Sequence, residues 1–138
     1  MARMRSGFAV IGDTQQLPGY SLLLTDDPSN DHLTDLGWEQ RKQFLFDLSL
    51  LGEAVHRACQ PNGLRRVNYE VLGNGVPVLH GHVHARYEWE SADKITGPVW
   101  RYPKELRNDP DYAYSDAKHG SVRAAITKEL KSLIERAY

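Results

Sequence analysis

The sequence predicts an α+β domain, and three observations carry that reading. Short apolar runs bounded by turn residues mark strands at 8–11, 21–25 and 65–72, and a fourth runs through the alternating His80, His82 and His84. A long three-and-four apolar pattern ends near Cys59, and a second occupies the end of the chain. The long helix falls between hairpins instead of alternating singly with strands, which points to α+β and away from a parallel α/β sheet.

Taken in order, residues 1–6 read as a loose tail ahead of the Phe8-Ala9-Val10-Ile11 strand. Gly12-Asp13 ends that strand, Pro18-Gly19 signals a turn, and 21–25 completes a hairpin. A polar loop follows over 26–31. Thr34 or Asp35 is placed to cap the first helix, with Gly37 weakening its first turn. Phe44, Leu48, Leu51, Val55 and Ala58 form its apolar stripe. Arg41, Lys42, Asp47, Glu53 and Arg57 read as its solvated faces, and His56 as a surface residue. Pro61-Asn62-Gly63 ends the helix. After the third strand, Gly73-Asn74-Gly75 reads as a tight connection and so as an antiparallel pair with the histidine strand. Residues 91–103 show little periodicity. Ser115 or Ser121 is placed to cap the last helix, whose stripe is Val122, Ile126, Leu130, Leu133 and Ala137. His119 near its start reads as a surface histidine.

Composition narrows the function. A chain of 138 residues, 41% apolar and 25% charged, fits one domain spanning 1–138 with a real core. Its net charge of −1 gives no electrostatic case for nucleic acid as the main partner. The single Cys59 closes no internal disulfide, lies on an apolar helix face and suits a reducing compartment. No apolar run approaches the roughly 20 residues of a membrane span, and Arg3 and Arg5 are not followed by the apolar core of a signal peptide. The expectation is a cytoplasmic protein.

Chemistry concentrates at the histidines. Alternate side chains on a strand share a face, so His80, His82 and His84 form a row with steps of about 6–7 Å. Val78 shares that face, Leu79 and Val83 point the other way, and Gly81 between them leaves room for close approach. Such a row has three readings. It is a tolerated feature of an exposed strand, a metal site built on neutral imidazoles, or a nucleophile with a neighbouring proton carrier.

The surrounding residues resemble the histidine-triad nucleotide hydrolases and transferases, and within them a bacterial branch resembling diadenosine polyphosphate hydrolases. Asn68-Tyr69, Gly73-Asn74, the run Pro77-Val78-Leu79-His80-Gly81-His82-Val83-His84-Ala85-Arg86-Tyr87, Pro98-Val99-Trp100 and Tyr102-Pro103 carry the likeness, with Leu17-Pro18-Gly19-Tyr20 near the start. Anchored on the Gly-Asn before and the Arg-Tyr after, Val78 occupies the first triad position, His80 the middle and His82 the third, with His84 trailing. Counting the three histidines themselves puts His82 in the middle instead. The first register matches more residues without a gap, and it exposes Val78 and Ala85 as departures from histidine and proline.

The resemblance implies an antiparallel sheet of about five strands, a homodimer and a purine nucleotide substrate with adenine favoured. It implies that His80 attacks an α-phosphorus to form a nucleotidyl-histidine, while His82 protonates the leaving group or holds an oxygen. Phosphate contacts are expected from Asn74, Arg86 and His84. Asn74 reads equally as turn chemistry, and Arg86 equally as an ion pair with Glu88 or Glu90. No cofactor is required, although a divalent cation can accompany the nucleotide. Trp89, Trp100 and Tyr102 read as cover for a base or as core. The rival readings are a non-catalytic nucleotide-binding protein, motivated by Val78 and Ala85, and a metal-dependent enzyme that uses the histidine row.

Overall fold

A computed structural model describes residues 1–138. Five strands, β1 (Ala2–Arg3), β2 (Gly7–Ile11), β3 (Ser21–Thr25), β4 (Leu64–Glu70) and β5 (His80–Tyr87), form one antiparallel sheet in the order β1-β2-β3-β5-β4. Helix α1 (Trp38–Cys59) joins β3 to β4. The short α2 (Ala92–Ile95) follows β5, and α3 (Asp116–Ala137) ends the chain. The α+β class and the antiparallel five-stranded sheet are as expected.

The period-two pattern of β5 gives the sheet its two faces. Leu79, Val83, Ala85 and Tyr87 are buried against the helices, together with Leu23 of β3 and Phe44, Leu48, Leu51 and Val55 of α1. Ile126, Leu130 and Leu133 bring α3 into the same core, each burial contributing about 1.5–3 kcal/mol. Gly81 faces this layer too, and a Cβ there would lie 2.7 Å from Leu48 Cδ1. The glycine lets α1 sit close beneath the histidine strand. Cys59 is fully buried at the end of α1, where burial raises its thiol pKa.

Four local expectations are corrected. Residues 1–6 are no loose tail: β1 pairs with β2, and Met4 is buried. Helix α1 starts at Trp38 with Gly37 as its cap. Thr34 and Asp35 belong instead to a 3-10 turn, whose Asp31 and His32 N–H groups donate to the Asp35 carboxylate at 3.0 and 2.8 Å. The β4–β5 pairing is antiparallel, yet the link is an open loop over 71–79. Gly73, Gly75 and Pro77 add no rungs to the ladder, and Leu79 N–H bonds the Asn30 carbonyl at 2.7 Å. Ser115 is the α3 cap, accepting from Lys118 N–H.

Asp47 is the fourth correction. It is fully buried, not solvated. Its carboxylate accepts from Ser6 N–H at 2.8 Å, the Ser6 hydroxyl at 2.6 Å, Gln43 Nε2 at 2.7 Å and the Tyr138 hydroxyl. One side chain of α1 thus anchors both ends of the chain. Replacing Asp47 by Ala is expected to cost about 3 kcal/mol, because the Ser6, Gln43 and Tyr138 donors lose a charged acceptor. Urea unfolding measures it, and a loss below about 1 kcal/mol would remove Asp47 as an anchor.

Candidate functional site

The polar face of β5 is set by its neighbours. Pairing with β3 places Leu24 opposite His80 and Leu22 opposite His82; pairing with β4 places Glu70 opposite His82 and Asn68 opposite His84. Three loops close over this face and enclose a cavity of about 700 Å³. The β2–β3 connection supplies Thr14, Gln16 and Tyr20; the 71–79 loop supplies Asn74; and the segment after α2 supplies Trp100, Tyr102, Lys104 and Arg107. His80, His82 and His84 form the floor.

His80 and His82 meet edge to face with ring centroids 4.7 Å apart. His80 Nδ1 lies 2.6 Å from the Val78 backbone carbonyl. A carbonyl only accepts, so Nδ1 carries the proton and the His80 lone pair is on Nε2. This support comes from the backbone and is independent of the side chain at 78.

His82 Nδ1 lies 2.8 Å from the Tyr20 hydroxyl. Burial, followed by Asp13 and Glu70, raises the Tyr20 pKa to about 12, so the phenol keeps its proton. With that O–H as the donor to Nδ1, the His82 proton is on Nε2. Burial, followed by the neighbouring His80 and His84, lowers the His82 pKa to about 4, so the ring is neutral at neutral pH. Tyr20 is held in place from two sides. Its ring stacks on His84 with centroids 4.5 Å apart, and its backbone follows Gly19, which adopts a φ of +94° and where a Cβ would lie 2.7 Å from Cys59 Sγ. Buried Gln15 staples this turn, donating to the Gly12 and Tyr20 carbonyls and accepting from Gly19 N–H.

His84 lines the cavity beside His82. It is buried, and its Nε2 is 3.6 Å from Glu70 Oε2, with no hydrogen-bond partner for either atom. The His84 contact holds the Glu70 pKa down, so a carboxylate stands behind His84, on the side away from the cavity. His84 also supports Tyr20 through their stacked rings.

Of the two readings of Arg86, the structure shows the ion pair. It lies outside the cavity, nearly fully buried, and its guanidinium is saturated. Nε and one terminal nitrogen donate to the Glu90 carboxylate at 2.8–3.1 Å; the remaining donors reach Asn68 Oδ1 and the Lys94 and Gly97 carbonyls. The ion pair with Glu90, one of the two sequence readings, takes every donor a phosphate would use. Asn68 is accordingly structural. Asn74 lies exposed at the cavity rim. His80, His82 and His84 form no metal cage: no group of three His, Cys, Asp or Glu side chains does so.

Sequence reasoning missed Tyr20, Glu70, Lys104 and Arg107 as parts of the site. Tyr20 was visible only within the motif at the β2–β3 turn, and nothing in the local sequence ties 104 and 107 to the histidines. Of the three aromatic candidates for base cover, Trp100 and Tyr102 line the cavity. Trp89 is exposed and stacks on Tyr87.

NMR titration of the His82 ring should give a midpoint near 4, and a midpoint above about 6 would refute its buried, neutral state. The folded pKa lies below the unfolded one, so the unfolded chain binds more protons between the two. Stability from this group is complete above the ordinary histidine pKa and declines as pH falls towards about 4. Arg86→Ala should destabilise the fold by about 3–5 kcal/mol, because it strands a buried carboxylate; thermal unfolding with no loss would contradict that role.

No protein-family model matches the sequence, and neither does any curated protein. Solved structures do. A histidine triad protein from Bradyrhizobium japonicum is 21% identical, with a TM-score of 0.77 over 94% of this chain and 87% of that one. One from Marinobacter aquaeolei VT8 is 27% identical, with a TM-score of 0.74 over 95% and 87%. A hypothetical histidine triad nucleotide-binding protein from Sulfolobus tokodaii strain7 is 11% identical, with a TM-score of 0.68 over 96% and 83%. The chain has the fold of the histidine triad proteins.

Proposed function

We propose that this protein is a nucleotide hydrolase or nucleotidyl transferase acting at the α-phosphate through a covalent nucleotidyl-His80. The observation that carries the reading is the pair of fixed imidazoles: His80 held at Nδ1 by the Val78 carbonyl, beside a neutral His82 held at Nδ1 by Tyr20. The His80 Nε2 lone pair attacks phosphorus, an N–P bond forms, and the bond from phosphorus to the leaving group breaks. Water or another acceptor then attacks the same phosphorus, the N–P bond breaks, and the nucleotide is released with His80 restored. Two moderate barriers replace one high barrier. His82 keeps its proton and donates its Nε2–H as a hydrogen bond to a non-bridging oxygen; the leaving group departs as an anion or takes a proton from solvent, and the attacking water gives its proton to solvent. Such a donor is worth about 10²–10³ in rate. Asn74 at the rim adds an amide donor.

The reading extends to a purine nucleotide, adenine first, and to a homodimer in the cytoplasm. It needs no protein-bound metal, while a divalent ion can travel with a polyphosphate. The name of the Sulfolobus neighbour accords with a nucleotide ligand. The Val78 substitution favours a second reading, a nucleotide-binding protein without turnover. Covalent capture separates the two.

AMP release from a dinucleoside polyphosphate and an adenosine phosphoramidate, with and without chelator, is the test. His80→Ala should lose at least about 10³-fold in kcat and form no nucleotidyl-protein on alkaline quench. His82→Ala should still accumulate the adduct while turning over about 10²-fold more slowly. Tyr20→Phe should lose about tenfold, the equivalent of one neutral hydrogen bond. An adduct that survives His80→Ala moves the nucleophile to His82, and AMP binding with no adduct in any variant selects the binding protein.

A further inference from the structure

The charge around the cavity is one-sided. No Asp or Glu lines it, and its only permanently charged side chains are Lys104 and Arg107, on the helical turn Lys104–Arg107. Neither makes an ion pair or a hydrogen bond with the protein, whereas Arg86, a few residues from the histidines, is fully engaged. The Arg107 guanidinium lies over the Trp100 ring, 4.3 Å from its centroid, and Trp100 meets His82 and His84 edge-on at 6.1 and 6.0 Å. An aromatic platform thus carries a free cation to the edge of the histidine row. The charge of Arg107 reaches the Tyr20 hydroxyl, where it works against the burial that raises that pKa. The polar atoms at the 14–16 turn are of another kind. Thr14 Oγ1 and Gln16 Nε2 are buried without partners and suit uncharged groups of a ligand.

We propose that Lys104 and Arg107 form an anion subsite beyond the reacting phosphorus, so that the substrate is a nucleotide whose leaving group is itself phosphorylated. This rests on the nucleotidyl-transfer reading of the same cavity. Two cations with no protein partner suit a chain of phosphates that passes the histidines and ends against them. An uncharged amine or alcohol as leaving group would leave both without a counterpart. Arg107, held flat on Trp100, offers its fork of donors to two phosphate oxygens, and Lys104 adds a mobile point charge.

The test separates affinity from chemistry. In a His80→Ala background, with chelator present, calorimetry gives the Kd of AMP and of adenosine 5′-tetraphosphate. The tetraphosphate is expected to bind at least tenfold more tightly, with an advantage that shrinks as salt rises. Adding Lys104→Gln and Arg107→Gln should reduce that advantage to threefold or less, and Lys104→Arg with Arg107→Lys should restore most of it. Both side chains are exposed and make no hydrogen bond in the protein, so the variants should melt with the parent. Equal affinities in the parent, an advantage that survives the double glutamine variant, or a parallel loss of AMP binding would each overturn the subsite. The unaltered protein is assayed separately for adduct formation on adenosine phosphoramidate. Failure there with the affinity pattern intact sinks the chemistry and leaves the subsite standing on a binding protein.

Discussion

The Arg86–Glu90 pair is the constraint on which the site depends. Its two side chains are 2% and 0% exposed, and the guanidinium leaves the polar face of β5 just beyond the histidines. Two buried charges gain little from pairing alone, since desolvation offsets most of the attraction. Here the remaining donors are spent on backbone carbonyls of 94 and 97, and the Tyr102 hydroxyl donates to the Glu90 carboxylate at 2.8 Å. A segment with little apolar periodicity is thereby turned back over the sheet. Trp100 lands against His82 and His84, with Lys104 and Arg107 following it. The arginine read from sequence as a phosphate ligand is what builds the wall that holds the free cations.

That substitution of roles shows what was legible and why. The strands, the two long helices and the faces of β5 follow from local periodicity, because burial of alternate or three-and-four residues leaves a pattern in the chain itself. Leu79, Val83, Ile126 and Leu130 were all readable in this way. The destination of a polar side chain leaves no such pattern. Asp47 looks like any helix-surface carboxylate until Ser6 and Tyr138 arrive from opposite ends of the chain. Arg86 had two partners in prospect, and the choice between them rested on a chain reversal that no short window encodes. Tyr20 is the same case: its hydroxyl finds His82 only because β3 and β5 are neighbours in the sheet, and its relation to the histidines is one of register.

Val78 is the departure that most threatens the reading from sequence, and the geometry narrows what it costs. A histidine at that position would bring a side chain; the bond to His80 Nδ1 is made by the backbone carbonyl, which every residue has. The orientation of the proposed nucleophile therefore survives the substitution. Tyr20 fixes the neighbouring ring from across the sheet, and a phenol with a raised pKa is a donor at any physiological pH.

The electrostatics then work in sequence along the cavity. The neutral His82 costs less to bury than an imidazolium, and it becomes a better base only as negative charge arrives beside it. Glu70 stands behind His84, where it stabilises positive charge that develops on the row without presenting a carboxylate to the ligand. Lys104 and Arg107 lie on the open side, where no acid competes for them. On the proposed reading, a polyanion in this cavity would meet fixed positive charge at one end and the His80–His82 pair at its reacting phosphorus. The charge that would bind the ligand and the groups that would react with it are held by different elements.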